Sequence, residues 1–328
     1  MKYLIVDMYL TQEKHEEFLH KLLVEEYDVC IFFSPSEWEY WFTVHFERIW
    51  HKALKIIKQR NKKIDVITGA HKVLSGEPID PDIRVHRWDT YWITEVSKGY
   101  IKNSVTNSVI NNYSYHYVYL NNNAHHHRQQ LIDLVAKHNL LKHGAISWHN
   151  GGTNGFYDFK YFNPVKMTLT DSFDGVHPYK HLFKLPIEYG HSFAQLISET
   201  TVTAIFITEK TAIPLLLGKP FLVATAPGFH RYLRDLGFEL YTEIFNYSFD
   251  NEPDQEKRFT MVLENFERLC SLPLEELPNL YKKIESKIEY NKQHAMKINN
   301  SPVILNDLPE RLWYDDDWVC NKYMFKTV

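Results

Sequence analysis

The chain has 328 residues, enough for two α/β domains or one large one, and no run of about 18 apolar residues that would span a membrane. Its formal net charge of −4 gives no support to a dedicated duplex-DNA binder with a basic face. Cys30, Cys270 and Cys320 are far apart and odd in number, so neither a disulfide framework nor a metal-ligand spacing follows, and a reducing compartment is expected. Residues 1–7 are a short apolar run meeting an acid, which predicts a first buried strand rather than a signal peptide.

Strands and helices then alternate. The spacing predicts a helix over 12–26 with Phe18, Leu22 and Leu23 on one face, and a strand over 29–33 stopped by Ser34, Pro35 and Ser36. Ser36 suits the N-cap of a long helix through Trp50 and Ile57. Strands are predicted at 64–68 and 83–86, then an aromatic helix from Thr90. Repeated β-α-β units imply a parallel sheet with helices on both faces. A further strand at 115–120 ends in Asn121, Asn122 and Asn123, followed by His125, His126, His127 and Arg128 and a helix over 129–138. Residues 145–148 read as strand and 150–155 as a loop. Residues 156–186 show no clear period, and a domain crossing is expected there or earlier.

The second half reads as a helix near Gln195, a strand over 202–207, a helix after Glu209, a strand over 221–225 and a helix after Gly228. Helices over 255–270 and 278–298 follow, the second with Pro278 at its first turn. The tail from Ser301 is rich in Trp and Asp. Aromatic residues make up 15% of the chain, which either thickens the cores or lines a groove on which sugars or bases stack.

The stretch 206–229 reads as strand, charged turn, apolar helix, Gly stop, buried strand and Gly turn, with Glu209 and Lys210 where the first helix begins. That is where an α/β protein holds a phosphorylated ligand. The order of Glu209-Lys210, an apolar helix, then Gly218-Lys219-Pro220 and an apolar strand resembles the donor half of nucleotide-sugar glycosyltransferases of GT-B architecture. It is most similar to the fucosyltransferase-like and exostosin-like branch, and to phage and marine-virus proteins with the same stretch. The segment with Arg128 opening a helix, then Asn139, Leu140 and Leu141, resembles those viral proteins too, as do residues 245–250 and Arg258.

The resemblance implies a fold of two doubly wound Rossmann-like α/β domains facing across a cleft. Residues 1–165 would form the acceptor domain, 166–300 the nucleotide-sugar donor domain, and 301–328 a tail crossing back onto the first. It implies that Glu209 contacts the donor ribose and Lys210 the diphosphate, with Lys210 and Arg128 catalytic and Thr211, Gly228, Arg128 and Arg258 also at the donor. A carboxylate accepts hydrogen bonds from a ribose diol, and a cation offsets diphosphate charge as the sugar leaves. The same residues also read as a plain helix first turn with a solvated lysine.

Other patterns carry less. Arg231 and Arg234 read as outward cations on an amphipathic helix. Adjacent residues of the histidine triplet point different ways, and Asp315, Asp316 and Asp317 have no strand before them, so no metal is expected and the only co-substrate is the nucleotide-sugar. His71, His86, Asp89 and Glu37 follow predicted strand ends and are the candidate bases. The absence of Gly-x-Gly-x-x-Gly weighs against a dinucleotide oxidoreductase. The expected function is glycosyl transfer in the cytoplasm, a host's if the protein is viral, to a hydroxymethylated base of viral DNA or to a surface glycan. The alternative is a non-catalytic α/β nucleotide-binding or structural protein.

Overall fold

The computed structural model describes residues 1–7, 12–34, 47–73, 82–99, 112–121, 123–148, 157–163, 185–307 and 325–327. The chain divides into two compact units, Met1–Tyr91 with Asn299–Val328, and Trp92–Ile298. Ser36, Glu37, the loop 150–155, most of the expected crossing, Asp315, Asp316, Asp317 and Cys320 lie outside the described residues.

In the first unit, β1 (Tyr3–Asp7), β2 (Val29–Ser34), β3 (Lys63–Thr68) and β5 (Ile83–Arg87) form a parallel sheet in that spatial order. Helices α1 (Gln12–Val24) and α2 (Glu47–Gln59) make the first two crossovers, and β4 (Ala70–Val73) is a short strand after β3. Side chains alternate across a strand. Leu4, Val6, Cys30, Phe32, Ile64 and Val66 pack with Phe18, Leu22, Leu54 and Ile57 of the two helices. Tyr3, Ile5, Ile31, Phe33 and Ile67 pack instead with Trp88, Tyr91 and Ile304. Both helices therefore cover one face, where the sequence led us to expect helices on both. The strand order never reverses, so successive right-handed crossovers fall on the same side.

The C-terminal segment belongs to this unit. Asn300 Oδ1 accepts from Thr90 Oγ1 at 2.5 Å, and its amide donates to Asp89. Strand β11 (Phe325–Thr327) pairs antiparallel with β1, Ile5 opposite Lys326.

In the second unit, β6 (Tyr115–Asn121), β7 (Gly144–Trp148), β8 (Ser192–Ser198) and β10 (Phe221–Ala224) form a parallel sheet in the order β10-β8-β6-β7. The described α-helices of this unit are α3 (Tyr91–Gly99), which starts on the last residue of the first unit, α4 (His126–Lys137), α5 (Ile187–Gly190), α6 (Glu209–Leu217), α7 (Phe229–Asp235), α8 (Gln255–Cys270) and α9 (Leu277–Lys297), with a short strand β9 (Ala204–Phe206) before α6.

Two expectations need correction. The segment around Gln195 is the central strand β8, not a helix: all seven of its residues are buried, and Gln195 accepts a hydrogen bond from Tyr189 Oη at 3.1 Å. A strand buried on both faces loses the alternation that marks a strand in sequence. The units also part at Tyr91/Trp92 rather than near residue 165, because β6 and β7 bond into the same sheet as β8 and β10. No described helix is long and apolar enough to cross a membrane.

Candidate ligand-binding site

From β6 the chain passes through α4 to β7 on one side. From β8 it passes through α6 to β10 on the other. The carboxyl ends of β6 and β8 thus flank a reversal of winding, where diverging loops open a crevice for ligands in doubly wound sheets. The residues expected to hold a donor, Arg128 after β6 and Glu209, Lys210 and Thr211 after β8, meet at this reversal.

Glu199, which the sequence reading passed over, organises the β8 side. It is fully buried directly after β8. Its carboxylate accepts from Thr208 Oγ1 at 2.5 Å, Thr211 Oγ1 at 2.6 Å and the Thr208 amide at 3.2 Å. Burial raises its pKa, against the opposing pull of Lys210 and the two hydroxyls. Thr208 is also the N-cap of α6, accepting from the Lys210 amide at 3.2 Å. The Thr211 hydroxyl therefore faces Glu199.

Lys210 and Glu209 stand half-buried at the first turn of α6. Lys210 Nζ lies 2.7 Å from Glu209 Oε1 and 3.4 Å from the hydroxyls of Thr200 and Thr208. Burial opposes ionisation of Glu209, but Lys210 and Arg128 hold its carboxyl below the ordinary value. Both side chains keep accessible surface, as ligand groups must.

Arg128 does not. It is buried in the first turn of α4, where Nη1 donates to the Asn123 carbonyl at 3.1 Å and Nη2 to the Glu199 carbonyl at 3.4 Å. Its Nε, and Nδ2 of buried Asn121, make no hydrogen bond among the described residues, which leaves the crevice wall rich in donors. His127 Nε2 donates to the same Glu199 carbonyl at 2.9 Å, so its Nδ1 carries the lone pair. Desolvation, then the charge of Arg128 and Lys210, pushes His125 down to about 4 and His127 to about 3. Both imidazoles are neutral at physiological pH, and the positive charge here belongs to Arg128 and Lys210. The guanidinium ties the loops of Asn123 and Glu199 together and places a buried positive charge beside the crevice.

Gly228 and Arg258 both make bonds within the fold. Gly228 is left-handed, with φ of 82°, and its amide donates to the Asp250 carbonyl at 2.7 Å. The Asp250 carboxylate then fills the N-terminus of α7, accepting from the amides of His230 and Arg231, each at 2.9 Å. Arg258 is buried, donating to the carbonyls of Thr225 and Glu252, each at 2.7 Å. It fastens the end of β10 to the loop before α8. Arg231 and Arg234 are exposed or nearly so, as expected of solvated cations.

Among the candidate bases, His71 lies in β4 and Asp89 is buried beneath Asn300. His86 is half-buried, with Nε2 2.9 Å from Oδ1 of fully buried Asp65, whose Oδ2 takes Arg84 at 2.7 Å. The carboxylate accepts from Nε2, which leaves Nδ1 of His86 facing away from Asp65.

Comparison with family models, curated proteins and solved structures finds no match in any of the three.

Proposed function

We propose that the chain is a nucleotide-sugar-dependent glycosyltransferase whose second unit takes the donor diphosphate at the β6/β8 reversal. The observation that carries the reading is the placement of half-buried Lys210 at the N-terminus of α6, with buried Arg128 behind it, at the carboxyl edge of a doubly wound sheet. In this proposal Lys210 exchanges its Glu209 partner for a phosphate oxygen and offsets the charge that grows as the sugar leaves. Glu209, so released, accepts from the ribose diol. Arg128 adds charge and fixes the walls. No metal takes part in the proposed step. In this proposal the first unit binds the acceptor.

Thermal unfolding with uridine and guanosine diphosphates tests the donor site. Ligand that binds only the folded state stabilises it by about 2.7 kcal/mol at a hundredfold excess over the dissociation constant. A rise in melting temperature is expected. A flat response to all common nucleoside diphosphates and their sugars at millimolar concentration removes the proposal. One observation favours a second reading, a nucleotide-binding protein without transfer: Arg128 and Glu199 are both enclosed and bonded within the fold. Release of sugar to water from the bound donor separates the two, since a live transferase leaks and a binding module does not.

A further inference from the structure

The amino end of the second sheet gathers a different set of side chains. His116 is the second residue of β6, His143 closes the short turn that leads into β7, and Cys270 ends α8. One potential ligand atom from each lies within 4.8 Å of the others. The two imidazoles meet edge to face, centroids 5.2 Å apart. His116 and Cys270 are buried and His143 is half-buried. Asn121, at the crevice, is five residues along β6 from His116, or about 16 Å at the rise of a strand. The cluster is therefore separate from the proposed donor site and does not rest on it.

We propose that His116, His143 and Cys270 bind a borderline-soft divalent transition ion, zinc in the first instance, with water in the fourth position. Three features carry this. His116 Nε2 donates to the Leu272 carbonyl at 2.8 Å, which fixes the ring and leaves Nδ1 with its lone pair. A second-shell bond from one ring nitrogen to a backbone carbonyl is the usual support of a metal-bound histidine. Neither the His143 ring nor the Cys270 sulfur makes a hydrogen bond to a described residue, so both are open to a ligand role. Tetrahedral zinc with bonds of about 2.0–2.3 Å sets its ligands roughly 3.3–3.8 Å apart, so the three atoms, all within 4.8 Å of one another, draw in slightly as the ion binds.

The ligand set, two imidazoles and one thiol, is that of nitrogen and sulfur sites rather than of magnesium or calcium. Binding converts the Cys270 thiol to a thiolate, forms the sulfur–metal bond and releases one proton to water. The ion thus competes with the proton for the sulfur. The ion would join β6, the turn before β7 and the end of α8, and its effect is on stability.

Titration of chelator-treated protein with cobalt(II), followed by competition with zinc, tests the site. Expected are one ion per chain, a thiolate-to-cobalt charge-transfer band in the near ultraviolet, the visible bands of a tetrahedral ion, and their loss when zinc is added. Cys270→Ala abolishes the charge-transfer band, while Cys30→Ala and Cys320→Ala keep it. His143→Ala weakens binding by at least about 100-fold, and its half-buried position makes it the variant that retains the fold, checked by circular dichroism. Absence of the band in the folded wild-type protein, or its survival in Cys270→Ala, overturns the proposal.

Discussion

Lys210 Nζ rests 2.7 Å from Glu209 Oε1, and the pair sits where the α6 dipole favours an incoming anion. Neither side chain is part of a packed core, so Lys210→Ala and Glu209→Ala should each lower turnover more than stability. Removing a charge that stabilises a departing diphosphate costs about 10²–10³ in rate. Steady-state rates with the identified donor and acceptor measure this, and near-normal turnover in either variant takes that residue out of the mechanism. Asp250 is the opposite kind of residue, buried and wholly structural. Burial would raise its carboxyl, but the His230 ring and the amides of Arg231 and His230 bring it below the ordinary value. A folded value below the unfolded one means stabilisation that is full above the unfolded value, about 3.9, and is lost as pH falls through the folded one. Asp250→Asn should destabilise by about 1–3 kcal/mol at neutral pH. The gap between wild type and variant should narrow on acidification below about pH 4. Urea unfolding at neutral and acidic pH reads both, and a gap that stays constant refutes the role given to the carboxylate.

At the scale of elements, α6 is bounded at both ends by chemistry that the sequence shows. Thr208 caps its start, and Gly218 ends it in the left-handed region, with φ of 72°. A Cβ at Gly218 would lie 2.9 Å from Ile288 Cγ2 and 2.9 Å from Lys292 Cδ of α9. Gly218→Ala should therefore cost about 1–3 kcal/mol, from left-handed strain and crowding together. Chemical denaturation measures it, and an unchanged midpoint shows that the turn relaxes freely. The legibility of this element was high because caps, Gly stops and apolar helices act locally. The same holds for α8, whose bounds match the expected ones, and for Asn139, which closes α4 at φ of 56°. Legibility fell where burial is complete. Strand β8 carries no alternation, and misreading it as a helix hid Glu199, since a residue becomes a strand-end carboxylate only when the strand is recognised. The bonds of Arg258 were not legible, since they depend on where the Thr225 and Glu252 carbonyls come to lie. His116, His143 and Cys270 were invisible for a related reason: their spacing follows no motif, and only the sheet order unites them.

At the scale of the whole molecule, a net charge of −4 means that a DNA acceptor requires a local basic surface. The sequence offers 52–63, and the structure sorts its cations. Lys52, Lys55 and Lys58 are exposed at three-residue steps on α2, opposite buried Ala53, Leu54 and Ile57. Lys58 has Asp82 at 3.1 Å. Arg60 is not part of this surface, because it donates to the carbonyls of Leu22 and Glu25 at 2.6 and 2.8 Å. Lys62 lies over the Tyr27 ring at 5.8 Å, while Lys63 stays exposed. Three or four phosphate contacts are thus the most this face supplies, and each contributes a salt slope of about −0.9 on duplex. Binding of hydroxymethylated duplex should weaken with a slope of about −3 between low and moderate salt, and Lys52→Glu with Lys55→Glu should abolish it. Unmodified duplex should bind equally well, because phosphate contacts position without reading bases, yet accept no sugar. Absence of binding at low salt moves the acceptor to a surface glycan. Binding without transfer, in the presence of a donor shown to occupy the second unit, moves the whole protein to the non-catalytic reading.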